Sequence, residues 1–249
     1  MTAKTLSPVV IILQARMGAS RLPGKPLSQV LDRPLLSYQL ERLRRVQHAD
    51  QIVVATTTNP EDDQIEQLCE QEKIPCFRGS SLDVLDRYYQ AAKKYHATHI
   101  VRITGDCPLI DPKLVDEVIS FYLNALPSYD YVSNSLERTY PRGLDAEIFS
   151  FDLLKKAAVE AKLPEEREHV TLFFYTHPAL FSIGSVKQDI DHSHHRWTVD
   201  TKEDFELVEK IISTLYPKNH DFDTNDILKL LKENPDWVAI NAHIQQKKI

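Results

Sequence analysis

The chain has 249 residues, 42% of them hydrophobic and 27% charged, with 6 glycines, 14 prolines and a formal net charge of -6. That length suits one large domain, and the composition excludes a collagen-like or low-complexity disordered chain and argues against binding of nucleic acid or an anionic membrane. The three cysteines, Cys69, Cys76 and Cys107, are odd in number and form no Cys-x-x-Cys pair, which argues against a disulfide framework or structural zinc and for a reducing compartment.

Residues 9–13 (VVIIL) form the first apolar run. It is continuous, as in a strand buried on both faces, and too short for a signal-peptide core or a membrane span. No other run reaches membrane length, so a soluble cytoplasmic protein is expected. After a polar loop, Leu36, Leu40 and Leu43 draw a helical stripe within 35–46. A second strand is expected at 51–55, a helix at 60–72 and a short strand at 74–78. Then come a helix at 81–95 with Leu82, Leu85, Tyr89 and Ala92 on one face, a strand at 99–104 and a helix at 111–126. This alternation predicts an α/β fold with a mostly parallel sheet, helices on both faces and a ligand site beyond the carboxyl ends of the strands. Past Pro127 the rhythm changes. Strands are expected at 129–133, 146–149, 181–186 and 196–199, and helices at 151–162, 165–175, 201–216 and 224–232. That part reads as a smaller mixed or antiparallel lobe, with a soft boundary near residue 127.

The segment 14–27, QARMGASRLPGKPL, follows the first strand with two glycines, three cations and no acid. Backbone amides in a glycine-containing turn point at phosphate oxygens, and Arg16, Arg21 and Lys25 add charge. An anion site is therefore expected, the alternative being a solvated basic loop. A Walker A loop is excluded, because five residues separate Gly18 from Gly24 and Pro26 stands where a metal-binding hydroxyl is needed. Rossmann glycine spacing is absent too. Pro23 and Pro26 disfavour an immediate helix start and predict an extended loop.

This loop resembles the N-terminal signature of the sugar cytidylyltransferases, the synthetases of CMP-acylneuraminate and of the CMP derivative of 3-deoxy-manno-octulosonate (KDO). It is most similar to the spore coat polysaccharide biosynthesis protein F family. The resemblance extends over nearly the whole chain and implies a three-layer α/β/α nucleotide-diphospho-sugar transferase fold, glycosyltransferase-A-like, with CTP as co-substrate and a homodimer as the assembly.

Two aspartates stand at strand ends. Asp106 follows strand 99–104 after Gly105, and a carboxylate there is costly to desolvate unless it meets a cation, for which a hard divalent metal near nucleotide phosphates is the expected partner. Asp111, before Pro112, reads as a helix N-cap. Asp200 taken alone reads as the cap of the next helix, with Glu203 completing a capping-box pattern. Paired with Asp106 it reads as the second carboxylate of one Mg²⁺. The resemblance implies the same, because similar Gly-Asp-x-Pro and Val-Asp-Thr-x-Glu-Asp motifs supply metal aspartates in those families. The KDO synthetases carry an acid where this chain has Cys107. No base partners Cys107, so it is not read as a nucleophile.

The resemblance adds Ala15, Gly18, Ser20, Arg21, Thr104 and Gly105 to the nucleotide site, with Asp83 and Arg87 beside it. Asp83, with Ser80 and Ser81, otherwise reads as helix capping. Arg142, Asp145, Glu147, Arg167 and His169 are expected at the sugar end, the cations as ligands of a carboxylate or hydroxyls. The alternative is ordinary surface pairing, such as Glu165 with His169. His192, His194 and His195 suggest zinc, but His194 and His195 are adjacent on an expected strand and would face opposite sides, favouring a solvated flank.

The resulting expectation is a nucleotidyltransferase. A hydroxyl of an acidic keto-sugar attacks the α-phosphorus of CTP in line and pyrophosphate leaves. Mg²⁺ sits on Asp106 and Asp200, while Arg16 and Lys25 stabilise the developing charge. Residues 1–127 form the nucleotide-binding half, 128–195 the sugar-binding and dimerisation lobe, and 196–249 carry the second metal aspartate and the last helices, all in one domain. A glycosyltransferase consuming a nucleotide-sugar and a non-catalytic nucleotide-binding module are the alternatives. The identity of the sugar, and CTP against UTP, stay open at this level.

Overall fold

The run at the start of the chain becomes strand β1 (Val9–Gln14), and its side chains divide between two cores. Val9, Ile11 and Leu13 pack into one core, while Val10 and Ile12 pack into the other, as the two-residue period of a strand requires. This is seen in a computed structural model, which describes residues 7–246. A short hairpin, β2 (Gln29–Val30) and β3 (Arg33–Pro34), precedes helix α1 (Leu35–Leu43). Strand β4 (Gln51–Thr57), helix α2 (Asp63–Gln71), strand β5 (Cys76–Gly79), helix α3 (Val84–Lys94), strand β6 (His99–Thr104) and helix α4 (Pro112–Asn124) follow.

The second half contributes β7 (Tyr131–Ser133), β8 (Glu147–Ser150), α5 (Phe151–Glu160), α6 (Pro164–His169), α7 (Leu172–Tyr175) and β9 (Ile183–Ser185). It ends with α8 (Lys202–Leu215), α9 (Thr224–Glu233) and α10 (Pro235–Val238). The seven-stranded sheet has the order β5-β4-β1-β6-β8-β7-β9. β5, β4, β1 and β6 are mutually parallel, and β7 and β9 pair in parallel. β8 is antiparallel to both β6 and β7. The mixed character expected beyond residue 127 thus resides in one reversed strand of the same sheet. Helices on both faces bury Leu36, Leu40, Val115 and Ile211 in one core and Leu85, Tyr88, Leu154 and Phe174 in the other. Among the described residues no helix is long and apolar enough to cross a membrane.

Four local expectations are corrected. Residues 165–175 form two short helices, because Val170 adopts a left-handed φ of 53° between them, a strained choice for a β-branched residue. Segment 196–199 is no sheet strand; its one ladder partner is Arg142, bridged to Arg196. Leu82 precedes α3 and is 89% exposed, and the buried stripe is Val84, Leu85, Tyr88, Ala91 and Ala92. The loop after β1 holds a turn of 3-10 helix at Lys25–Leu27, with Pro26 in the first turn, where a missing N–H costs nothing. The hairpin and α10 were not anticipated.

Candidate active site

A cleft of about 600 Å³ opens at the carboxyl ends of β1 and β6. The loop after β1 forms one wall, with Ala15, Arg16, Ser20, Arg21 and Lys25 lining it. Its path is set by the buried Asp62, which accepts a 2.7 Å hydrogen bond from the Met17 amide and a second from the Thr57 hydroxyl. The Met17 carbonyl then accepts from the Ala19 and Gly24 amides, at 2.8 and 2.9 Å, folding the loop on itself. Gly24 has φ of 75°, a left-handed conformation that glycine takes without a side-chain clash.

The two strand-end aspartates come together through a backbone crossing. The Val199 amide donates to the Asp106 carbonyl at 2.7 Å, and the Thr198 hydroxyl donates to the same oxygen at 3.1 Å. Gly143 permits the crossing: it has φ of 103°, and a Cβ there would lie 2.4 Å from the Thr198 nitrogen. The Lys25 ammonium then lies 2.8 Å from Asp200 Oδ1 and 3.8 Å from Asp106 Oδ2, and donates to the Val199 carbonyl at 2.8 Å. Burial works against that ammonium, but the charges of Asp106 and Asp200 outweigh it and hold the Lys25 pKa above its ordinary value. Lys25 is therefore a largely buried bridge between two carboxylates. Asp200 also meets Arg21 at 2.9 Å and Arg196 at 3.1 Å. Its pKa is lowered, because Lys25, Arg21 and Arg196 together overcome the cost of burial. Thr201 and Asp204 form the capping box of α8, so Asp200 is free of that duty and Asp204, in place of Glu203, completes the box.

Among the described residues no group of three or more His, Cys, Asp or Glu is disposed to hold a metal ion. Two converging carboxylates suit a hard cation that takes its other oxygens from phosphates and water, as Mg²⁺ does. Asp106 and Asp200 fit that pattern. Cys107 is buried, and burial followed by the Asp106 charge pushes its thiol well above the usual range, which keeps it unreactive. His194 and His195 lie in a turn, not on a strand, with rings 4.1 Å apart, so the expected opposition of the two is corrected.

The nucleotide-side candidates Thr104, Gly105 and Arg87 also line the cleft. Arg87 is 1% exposed, donates to the Ser80 carbonyl at 2.6 Å, and leaves its buried Nε without a partner. Gly18, Asp83 and Arg167 do not line it. Asp83 caps α3 and accepts from Arg167 Nε at 3.0 and 3.1 Å, so these two candidates hold each other and strap α3 to α6. Arg142, Asp145, Glu147 and His169 also line the cleft. Asp145 is held in a two-pronged ion pair by Arg138, at 2.6 and 2.8 Å. Glu147 pairs with Arg102 and accepts from Tyr131 at 2.6 Å and Thr171 at 2.8 Å. Arg142 is half-buried and has no ion pair among the described residues; burial and the neighbouring Arg138 lower its pKa. Sequence reasoning missed Arg138, Arg102, Arg196 and Gln246. The signal for Arg196 was its position four residues before Asp200.

Comparison with known proteins agrees with this geometry. The cytidylyltransferase family profile matches residues 10–237. The spore coat polysaccharide biosynthesis protein SpsF of Bacillus subtilis is 33% identical over 241 residues, covering 93% of this chain and 97% of that protein. A 3-deoxy-manno-octulosonate cytidylyltransferase of an Anaeromyxobacter species is 31% identical over 183 residues, covering 68% of this chain and 73% of that one. Among solved structures, a cytidylyltransferase from Leptospira borgpetersenii superposes with a TM-score of 0.90 at 35% identity, covering 98% of this chain and 100% of that one. With two carboxylates and a cationic loop gathered at the strand ends of the matching fold, the chain belongs to the cytidylyltransferase family and is a sugar cytidylyltransferase.

Proposed function

We propose that the enzyme transfers CMP from CTP to a hydroxyl of an acidic keto-sugar, releasing pyrophosphate, in surface polysaccharide biosynthesis. The observation that carries this reading is the Lys25 ammonium set between Asp106 and Asp200 in a cleft that Arg16, Arg21 and Arg142 also line. Asp106 and Asp200 would hold Mg²⁺, which supplies charge neutralisation and orientation of the phosphates when bound. Lys25 and Arg21 contact the phosphate chain and stabilise the charge that moves onto pyrophosphate. Arg16 and Arg87, which form no ion pair among the described residues, add to the same field. In the same cleft Arg142 receives the carboxylate of the sugar, and His169 contacts its hydroxyls. No protein nucleophile takes part, because the sugar hydroxyl attacks the α-phosphorus directly.

In this reading residues 1–127 serve the nucleotide, 128–195 the sugar and 196–249 the second metal carboxylate. The enzyme works as a cytoplasmic homodimer with Mg²⁺. The test is pyrophosphate release from CTP and, in parallel, UTP, with Mg²⁺ and a panel of keto-sugar acids beside their neutral analogues. Release with CTP and an acid supports the reading. Release with neutral sugars alone overturns the acidic-sugar assignment.

A further inference from the structure

The family profile ends at residue 237, yet the chain beyond it reaches the cleft. Arg196 is 8% exposed and its guanidinium is held on every side. Nε and Nη2 donate to Asp204 at 2.8 and 2.9 Å, Nη2 donates to Asp200 Oδ2 at 3.1 Å, and Nη1 donates to Gln246 Oε1 at 2.7 Å. Asp204, fully buried, also accepts from the Asp200 and Thr201 amides at 3.0 and 3.1 Å and from Asn241 Nδ2 at 2.8 Å. Asn241 Nδ2 donates again to the Arg196 carbonyl at 2.9 Å.

We propose that residues 241–246 are a working part of the active site, and that Arg196, clamped by Asn241 and Gln246, is the positioning residue that orients Asp200 toward the metal. The inference rests on the metal reading above. Of the three cations on Asp200, Lys25 and Arg21 belong to the loop that meets phosphates, whereas Arg196 faces a buried carboxylate and stays with the protein. A planar guanidinium fork fixes the angle of a carboxylate, and an ammonium does not. Partners that orient a metal-ligating carboxylate govern metal affinity without touching the ion.

The test measures Mn²⁺ affinity with CTP present and sugar absent, by electron paramagnetic resonance of the free ion, beside thermal melts. Arg196→Lys keeps the charge and removes the fork, so it should weaken Mn²⁺ binding roughly 10- to 100-fold. Gln246→Ala alters an exposed side chain, so the melting temperature should hold while affinity falls about three- to tenfold. Because Gln246 acts through Arg196, the double variant should bind no more weakly than Arg196→Lys. If Asp200→Asn binds Mn²⁺ like the unaltered enzyme, the metal reading falls and the inference with it. If Asp200→Asn loses the ion while Gln246→Ala and Arg196→Lys keep it, the inference alone is overturned. Full additivity in the double variant overturns it as well. Should Arg196→Lys fail to fold, Gln246→Ala decides alone.

Discussion

Asp200, in the lining of the cleft, holds three cations, Lys25, Arg21 and Arg196. Asp145 and Glu147, in the same lining, hold one each, Arg138 and Arg102. The first arrangement is a shared pool of positive charge, with Arg16 and Arg87 in surplus beside it. The second is matched pair by pair, with Arg142 and the cleft-lining Glu168 outside those pairs. A pool of surplus cations suits a polyanion and a counterion that arrive together, because the contacts exchange without leaving any charge buried and alone. Matched pairs, with Arg142 and Glu168 beside them, bring no surplus charge of either sign. The difference teaches that positive charge is concentrated around one carboxylate of the cleft and balanced around the others.

The comparison is broken most sharply at the shared carboxylates. Asp106→Asn or Asp200→Asn should each lower the turnover rate by roughly 10²-fold or more, with the double variant little worse, since both serve one centre. Steady-state rates of pyrophosphate release check this, and full activity in either single variant removes the shared centre. Next comes Lys25→Met, which keeps the stem and removes the charge. Its loss should be about 2–4 kcal/mol of transition-state stabilisation, seen in kcat more than in the KM for CTP. A change confined to KM would make Lys25 a binding residue only.

The sugar end gives a smaller effect with a different signature. Arg142→Ala should raise the KM for the sugar roughly tenfold or more, the scale of one charge-assisted hydrogen bond, and leave the KM for CTP unchanged. If CTP affinity falls instead, the two ends are not separate. Arg167→Ala should cost about 0.5–1 kcal/mol of stability, the worth of a partly exposed ion pair, with neither KM moved. Chemical denaturation beside kinetics reads both.

The smallest effect concerns His195, whose carbonyl accepts from the Arg142 amide at 3.0 Å. Burial, then the neighbouring His194 and His192, push its pKa down to about 4. As pH falls from the ordinary histidine value toward that one, the unfolded chain takes up a proton that the folded chain refuses, so stability falls with pH. His195→Gln should flatten the dependence of melting temperature on pH across that window. An unchanged slope assigns the acid sensitivity elsewhere.

What could be read in advance follows from the range of the forces involved. The apolar period of β1 and the helical stripe of α1 are local, and both stand where the pattern put them. Asp106 and Asp200 were legible as strand-end carboxylates near a cationic loop, although Asp200 follows a segment that is no sheet strand. The arginines were harder. Arg138, Arg142 and Arg167 look alike in sequence, and only tertiary neighbours decide that Arg138 meets Asp145, Arg167 meets Asp83 and Arg142 forms no ion pair among the described residues. The break at Val170 carries no glycine or proline to announce it, because packing of the buried Val170 side chain overrides the local preference.

The hydrogen bonds that Thr198 and Val199 send to the Asp106 carbonyl have a consequence for the order in which the molecule becomes competent. Thr198 and Asp106 are 92 residues apart in the chain, and the crossing that joins them needs Gly143 from the stretch between. Contacts of such separation carry a loop-closure cost that the local helices do not. During synthesis the strand that presents Asp106 emerges long before the segment that presents Asp200, so a partial chain carries one carboxylate and no bridge for Lys25. The pairing of Lys25 with both carboxylates thus requires the last third of the chain, and a fault there is felt by residues that the first half supplies.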